Sequence, residues 1–156
     1  MPDFCLMSCF NVRVYGILIN EHKQVLVSDE FIRGGYYTKF PGGGLEFGEG
    51  TLQCLVREFQ EELNMDVEVV EHIYTTDFFQ ISAFDNKSQI ISIYYLVNPI
   101  SAFTAPILKA PFDFIIPEGV TEVEGVRWIN KEDFSSGTVT LPIDKVAADL
   151  VKEKYL

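Results

Sequence analysis

The chain has 156 residues, 47% of them hydrophobic and 13% aromatic, enough for one well-filled core and too apolar for a disordered chain. Lys plus Arg number 12 and Asp plus Glu 23, a net charge of −11 that argues against a nucleic-acid groove or an anionic membrane surface. Small phosphorylated ligands stay compatible with that charge, because carboxylates bind them through a divalent metal.

Cys5, Cys9 and Cys54 are too few and too oddly numbered for a disulfide scaffold and read as reduced thiols of a cytoplasmic protein. No basic stretch precedes a long apolar one at the N-terminus, so no signal peptide is expected. No run approaches ~18 apolar residues, so no membrane span is expected.

Val12 to Ile19 is apolar and β-branched, and Asn20 to Lys23 is a polar turn before a second strand at Val25–Val27, the pattern of a hairpin. Arg33 to Tyr37 reads as a flexible aromatic loop, and Pro41 to Gly44 and Gly48 to Gly50 as breakers. Thr51 is the expected N-cap of a helix reaching Leu63, stopped at Asn64, a residue that tolerates the left-handed conformation. Val67 to Tyr74 reads as a strand. Phe78 to Phe84 and Ile90 to Val97 read as two more around the turn Asp85 to Ser88, with Phe78, Phe79 and Phe84 in the core. Four prolines mark Pro99 to Pro117 as an irregular excursion with a functional or interface role. Val123 to Ile129 is a last strand, and Pro142 opens a C-terminal helix with Val146, Ala147, Leu150 and Val151 on its apolar stripe. Strands punctuated by two helices give an α/β (α+β) class, a mixed β-sheet flanked by helices.

The informative segment is Gly43 to Met65. With Glu58 at zero and 100° per residue, Glu61 falls at roughly 300° and Glu62 at roughly 40°, so three carboxylates share one face. Leu52, Leu55, Val56, Phe59 and Leu63 fall on the adjoining flank and are expected to pack on the sheet. Clustered like charge is unfavourable by itself. A divalent cation turns that repulsion into ligation, and Mg²⁺ leaves room for substrate phosphates. A solvated acidic helix face is the plainer reading of the helix alone. The glycines at 42, 43 and 44, which let backbone approach a ligand closely, shift the balance toward a site.

At this spacing the residues resemble the Nudix box, G-x5-E-x7-R-E-U-x-E-E-x-G-U with U a bulky aliphatic residue. Gly43, Glu49 and Arg57-Glu58-Phe59-Gln60-Glu61-Glu62-Leu63-Asn64-Met65 fall in register over 23 of 156 residues. Phe59 and Asn64 depart from the pattern, and every charged position matches it. The resemblance implies a single Nudix hydrolase domain over 1–156, built as an α/β/α sandwich. It also implies a magnesium- or manganese-dependent pyrophosphohydrolase acting on a nucleoside diphosphate linked to another group. By that analogy Glu58, Glu61 and Glu62 ligate the metal with the Gly42 carbonyl. Glu49 orients Arg57 or a bound water, and Arg57 holds the carboxylates. A further ligand or base comes from Glu122, with Glu124 and Glu118 as alternatives.

Arg33, Tyr37, Lys39 and Gly43 are candidates for substrate contact: a base stacks on a Tyr and a cation meets a phosphate. His22 reads as solvated and His72 as structural. Cys54 reads as a small residue beneath the glycines and not as a nucleophile. The expected partner is a small nucleoside diphosphate derivative, not a nucleic-acid polymer or a membrane. A homodimer is an expectation from the resemblance and the aromatic-rich strands. Two other readings carry different chemistry: a ligand-sensing module on the same fold without turnover, and an isoprenoid diphosphate isomerase. The isomerase would want a catalytic cysteine and further histidines.

Overall fold

A computed structural model of the chain describes residues 9–156. Cys5 and the N-terminal stretch Met1 to Ser8 therefore lie outside the described residues. The first strand, β1 (Phe10–Leu18), and the second, β2 (Gln24–Ile32), flank a turn closed by Asn20, whose Oδ1 accepts from the amides of His22 and Gln24, each at 3.0 Å. The expected hairpin does not extend beyond this turn. The arms meet at Ile19 and Val25 and then part into different sheets. β2 continues into β3 (Gly35–Lys39) instead, where a flexible loop was expected. Arg33 (φ 48°) and Gly34 (φ 89°) both sit in the left-handed region, the geometry of a two-residue hairpin turn that matches strand twist.

A glycine strand, β4 (Gly42–Gly44), precedes helix α1 (Thr51–Leu63). Then come β5 (Val67–Thr75), β6 (Gln89–Pro99), β7 (Glu122–Asn130) and helix α2 (Pro142–Tyr155). One sheet is mixed, in the order β4-β1-β6-β5, with β1 and β6 parallel from Phe10 opposite Gln89 to Leu18 opposite Val97. A second sheet, antiparallel throughout, runs β3-β2-β7. Alternation along β1 divides the core into two. Val14 and Leu18 pack with Leu55, Phe59 and Leu63 of α1. Tyr15 and Ile17 pack with Ile143, Ala147 and Val151 of α2. The strands thus lie between two helices. Gly16 is tied to this arrangement, because a Cβ there would stand 2.5 Å from the Phe59 ring.

Several local expectations change. Gly50, not Thr51, is the N-cap of α1, and the Thr51 hydroxyl instead meets the Tyr95 hydroxyl at 2.7 Å. Asn64 does stop the helix at φ 48°, its N–H reaching the Gln60 carbonyl at 3.1 Å. Leu52 and Val56 are exposed, whereas Cys54 and Glu58 are buried, because β4 covers the side of α1 they occupy. On α2, Leu150 is exposed and Val146 half-buried, and Ile143, Asp144 and Ala148 join Ala147 and Val151 inside. Phe78 to Phe84 forms no strand beyond one bridge from Ile81 to Gln89, and Phe78 and Phe79 are exposed. Side chains there capture the backbone locally: the Ser82 hydroxyl accepts from Phe84 N–H, and Asp85 accepts from Lys87 and Ser88 N–H. Among the described residues Cys9 and Cys54 form no disulfide, and no helix is long and apolar enough to cross a membrane.

Two buried carboxylates hold distant segments together. Asp29 on β2 accepts from Arg127 Nε (2.6 Å) and Nη2 (3.2 Å), Thr38 Oγ1 (2.7 Å) and the Phe112 amide (3.0 Å). It thereby fastens the irregular excursion, whose Leu108 amide also bonds the Val126 carbonyl at 2.8 Å. Asp144, in the first turn of α2, accepts a short hydrogen bond from the Tyr94 hydroxyl of β6. Burial pushes the Asp144 carboxyl up to about 6, with the Tyr94 hydrogen bond pulling the other way.

Asp29→Asn leaves Arg127 without a buried counter-charge and is expected to lower unfolding free energy by about 3 kcal/mol or more, read by urea denaturation. The Tyr94 hydroxyl favours the charged form of Asp144, so its contribution is present above the folded pKa and fades as pH falls through it. Tyr94→Phe is therefore expected to destabilise by about 1.5–3 kcal/mol at pH 8 and by clearly less at pH 5. An equal loss at both values would contradict the linkage.

Candidate active site

The site begins with a fit between backbone and carboxylate. β4 pairs antiparallel with β1, Gly43 opposite Val14 and Gly42 opposite Tyr15. A Cβ on Gly43 would stand 2.3 Å from Glu58 Oε1, so the carboxylate of α1 rests where a side chain would be. Gly42 is more constrained: its φ is 149°, and a Cβ would fall 2.1 Å from the Val14 carbonyl oxygen. The strand can lie this close to α1 only because it is glycine.

Arg57 organises the outer side of the ridge. It holds Glu49 in a two-pronged pair, Nε to Oε2 at 3.0 Å and Nη2 to Oε1 at 2.7 Å. Its Nη1 reaches Glu58 Oε1 at 3.1 Å and Glu61 Oε2 at 3.2 Å, and Nη2 donates to the Gly44 carbonyl at 3.1 Å. The Arg57 guanidinium, helped by the Glu46 amide, holds the Glu49 carboxyl down to about 2. The same contacts raise Arg57 above its ordinary value. Cys54 lies beneath the glycines with its thiol 3.5 Å from the Gly44 carbonyl, and burial pushes that thiol up to about 12. It is no nucleophile at neutral pH.

The inner side faces a cavity of about 350 Å³. Of the residues expected at the site, Gly42, Gly43, Glu58, Glu62, Glu122, Arg33 and Lys39 line it. Glu61, Arg57 and Glu49 do not line it; they stand on the solvent flank of the ridge. Tyr37 is also outside the lining and packs edge-on against Phe84, with ring centroids 5.0 Å apart. Lys39 is buried and paired with Glu30 at 3.0 Å, its ammonium 5.7 Å from the Phe84 ring centroid.

Arg13, Glu30 and Glu124 line the cavity without having been singled out as leading candidates. The sequence signal was alternation: Asn11, Arg13 and Tyr15 share one face of β1, and Glu122 and Glu124 share one face of β7. Glu124 is directly opposite Glu30 in the β2–β7 pairing. Glu62 bears the consequence of this crowding. Its carboxyl is pushed up to about 9, first by the water lost among its neighbours and then by the charges of Glu124, Glu58 and Glu30. Loss of water and the charge of Glu30 also raise Glu124.

Among the described residues no three Asp, Glu, His or Cys side chains converge into a ready-made metal cage. The donor set nevertheless suits a hard divalent cation. It consists of carboxylate oxygens beside a glycine backbone, crowded enough to repel one another. Glu58 is seated in the Gly43 cradle, and release of Glu58 and Glu61 from Arg57 Nη1 would add oxygens without breaking the Arg57–Glu49 pair.

A family profile described as the NUDIX domain matches residues 10–152. An 8-oxo-dGTP diphosphatase from Proteus vulgaris is 31% identical over 86 residues, which cover 46% of this chain and 76% of that protein. Among solved structures, the E. coli ORF135 protein superposes with a TM-score of 0.67 at 16% identity, covering 94% of this chain and 91% of that one. The MutT protein of Methanosarcina mazei Go1 superposes with a TM-score of 0.63 at 16% identity, covering 97% and 99%. Glycine strand, acidic helix, two-helix sandwich and profile agree: the chain belongs to the Nudix family.

Proposed function

We propose that this Nudix enzyme hydrolyses the diphosphate linkage of a nucleoside diphosphate joined to another group, using divalent metal held on α1. The observation that carries the reading is the crowding of Glu62 with Glu58, Glu124 and Glu30 beside a strand that must be glycine. A divalent cation would relieve that crowding. Glu58, Glu61 and Glu62 with the Gly42 carbonyl would hold Mg²⁺ or Mn²⁺. That ion would supply charge neutralisation at the phosphates and activation of phosphorus and water.

The chain's own side chains do the rest. Glu49 fixes the Arg57 guanidinium, and Arg57 sets the positions of Glu58 and Glu61. Arg33 and Arg13 meet phosphate oxygens from the cavity wall, Lys39, paired with Glu30, adds positive charge there, and Gly43 seats the Glu58 carboxylate beside them. Tyr37 supports the Phe84 ring at the same edge. Water forms the new O–P bond while the bridging P–O bond breaks, and the departing phosphate keeps the electron pair. Glu122, or Glu124 on the same face of β7, takes the proton from that water. The setting that fits unpaired thiols at Cys9 and Cys54 is the cytoplasm, with one domain over 1–156.

Release of phosphate or nucleotide from a panel of diphosphate substrates, with Mg²⁺ and with Mn²⁺, tests the reading. Turnover that stops with chelator supports it. A silent panel with measurable ligand binding points instead to a sensing role. Glu61→Gln and Glu62→Gln are each expected to lower kcat at saturating Mg²⁺ by about 100-fold or more with the thermal midpoint little changed. Wild-type kcat in either variant would overturn its assigned role. Gly43→Ala pushes against the end of the Glu58 side chain and not against backbone. It should fold and lose at least about tenfold in kcat. Full activity there would mean that the cradle is unimportant.

A further inference from the structure

The excursion between β6 and β7 is fastened to the molecule at one cross-strand pair. β7 ends its sheet, with β2 as its neighbour on one side. On the other side Ile107 bridges in parallel to Val126, and the Leu108 amide donates to the Val126 carbonyl at 2.8 Å. The Leu108 side chain fills the space that Gly125 leaves. A Cβ on Gly125 would stand 2.8 Å from Leu108 Cδ1 and 2.9 Å from its Cγ. Asp29, opposite Gly125 on β2, accepts from the Phe112 amide at 3.0 Å. Phe112 is held there at φ 57°, in the left-handed region that a bulky side chain seldom occupies. Both fastenings converge on Asp29 and Gly125.

The next pair along the ladder is Glu30 and Glu124. Glu124 lines the acidic cavity beside the glycine strand, and with Glu62 and Leu108 it lines a second cavity of about 190 Å³. A strand paired on one side only opens locally at low cost. Here the excursion closes the free edge one residue from Glu124. We propose that Leu108 is a positioning residue for Glu124: seated on Gly125, it fixes β7 so that the Glu124 carboxylate stays at the wall of the acidic cavity. This rests on the hydrolase reading only for its effect on turnover.

Leu108 acts through the strand and not by touching the carboxylate. Alternation puts Gly125 and Glu124 on opposite faces of β7, so the leucine bears on the backbone from the face that Glu124 does not use. The point it secures needs securing. Two carboxylates of like charge stand directly opposite each other at Glu30 and Glu124, and such a pair weakens a ladder. The contact can be undone from either side. Leu108→Ala leaves the space over Gly125 empty. Gly125→Ala fills it with a methyl group that pushes against the end of the Leu108 side chain and not against backbone.

Hydrogen exchange on the metal-free protein reads this contact without turnover. In Leu108→Ala the amides from Glu122 to Val126 are expected to exchange at least about tenfold faster than in the parent protein, with those of β1 unchanged. Leu108→Met, which refills the space, is expected to keep the protection. Unchanged exchange in a folded Leu108→Ala would overturn the proposal. In turnover, Leu108→Ala should lower kcat about tenfold and leave KM within about twofold. Combined with Glu124→Gln it should lower kcat no further, because the group it positions is gone. Losses that multiply would mean a general structural effect and overturn the proposal. Wild-type kcat in Leu108→Ala or in Glu124→Gln would do the same. Gly125→Ala carries the same tests if Leu108→Ala does not fold. Faster exchange with a substrate panel silent for the parent protein would remove the hydrolase reading and keep the hold of Leu108 on β7. Turnover by the parent protein with unchanged exchange in the variant would do the reverse.

Discussion

A carboxylate resting on bare backbone is the contact from which the rest of the site follows. Glu58 can occupy its place only because Gly43 has no side chain. Gly43 can occupy its own only because β4 is paired to β1. β1 in turn is held by β6 on its other edge and by α1 on its face. A chain of close approaches therefore links the packing of the core to the position of one oxygen. That kind of precision is available to backbone and short rigid contacts, and not to long exposed side chains.

Charge is the second theme. The inner wall gathers Glu30, Glu58, Glu62, Glu122 and Glu124 against Arg13, Arg33 and Lys39, and Lys39 is already spoken for by Glu30. On the outer flank, Arg57 is shared by four carboxylates, Glu46, Glu49, Glu58 and Glu61. The two faces of α1 are thus treated differently. One is compensated by a fixed guanidinium; the other is left with surplus negative charge pointing into a cavity. Arg57 works as scaffold for the ridge because its strongest tie is to Glu49, outside the acidic row.

Much of this was legible in the residues themselves. The motif from Gly43 to Met65 identified the helix, its charged set and the family, since fixed spacing on a helix is a local property. The Asn64 stop and the Pro142 start were local too. What escaped depended on partners remote in sequence. The buried arc of α1 is set by β4, so Glu58 went in and Leu52 stayed out. Glu30 became part of the site through its register opposite Glu124, a relation no local pattern contains. Phe78 to Phe84 has strand composition, but Ser82 within it and Asp85 just beyond it found nearer partners than another strand. Arg13 was the recoverable omission, since alternation along β1 already set it apart from Val12 and Val14.

The parallel pairing of β1 with β6 has a consequence for how the molecule is assembled. Phe10 must find Gln89, and Leu18 must find Val97, across the whole span that contains the glycine strand and α1. During synthesis the first strand leaves the ribosome well before β6 exists, with only β4 and α1 following closely enough to cover it. Closing so long a loop before the β1–β6 ladder forms slows folding relative to chains built from neighbouring contacts. The acidic ridge of α1 packs on that same strand, so the sheet beneath it is complete only once β6 has been added.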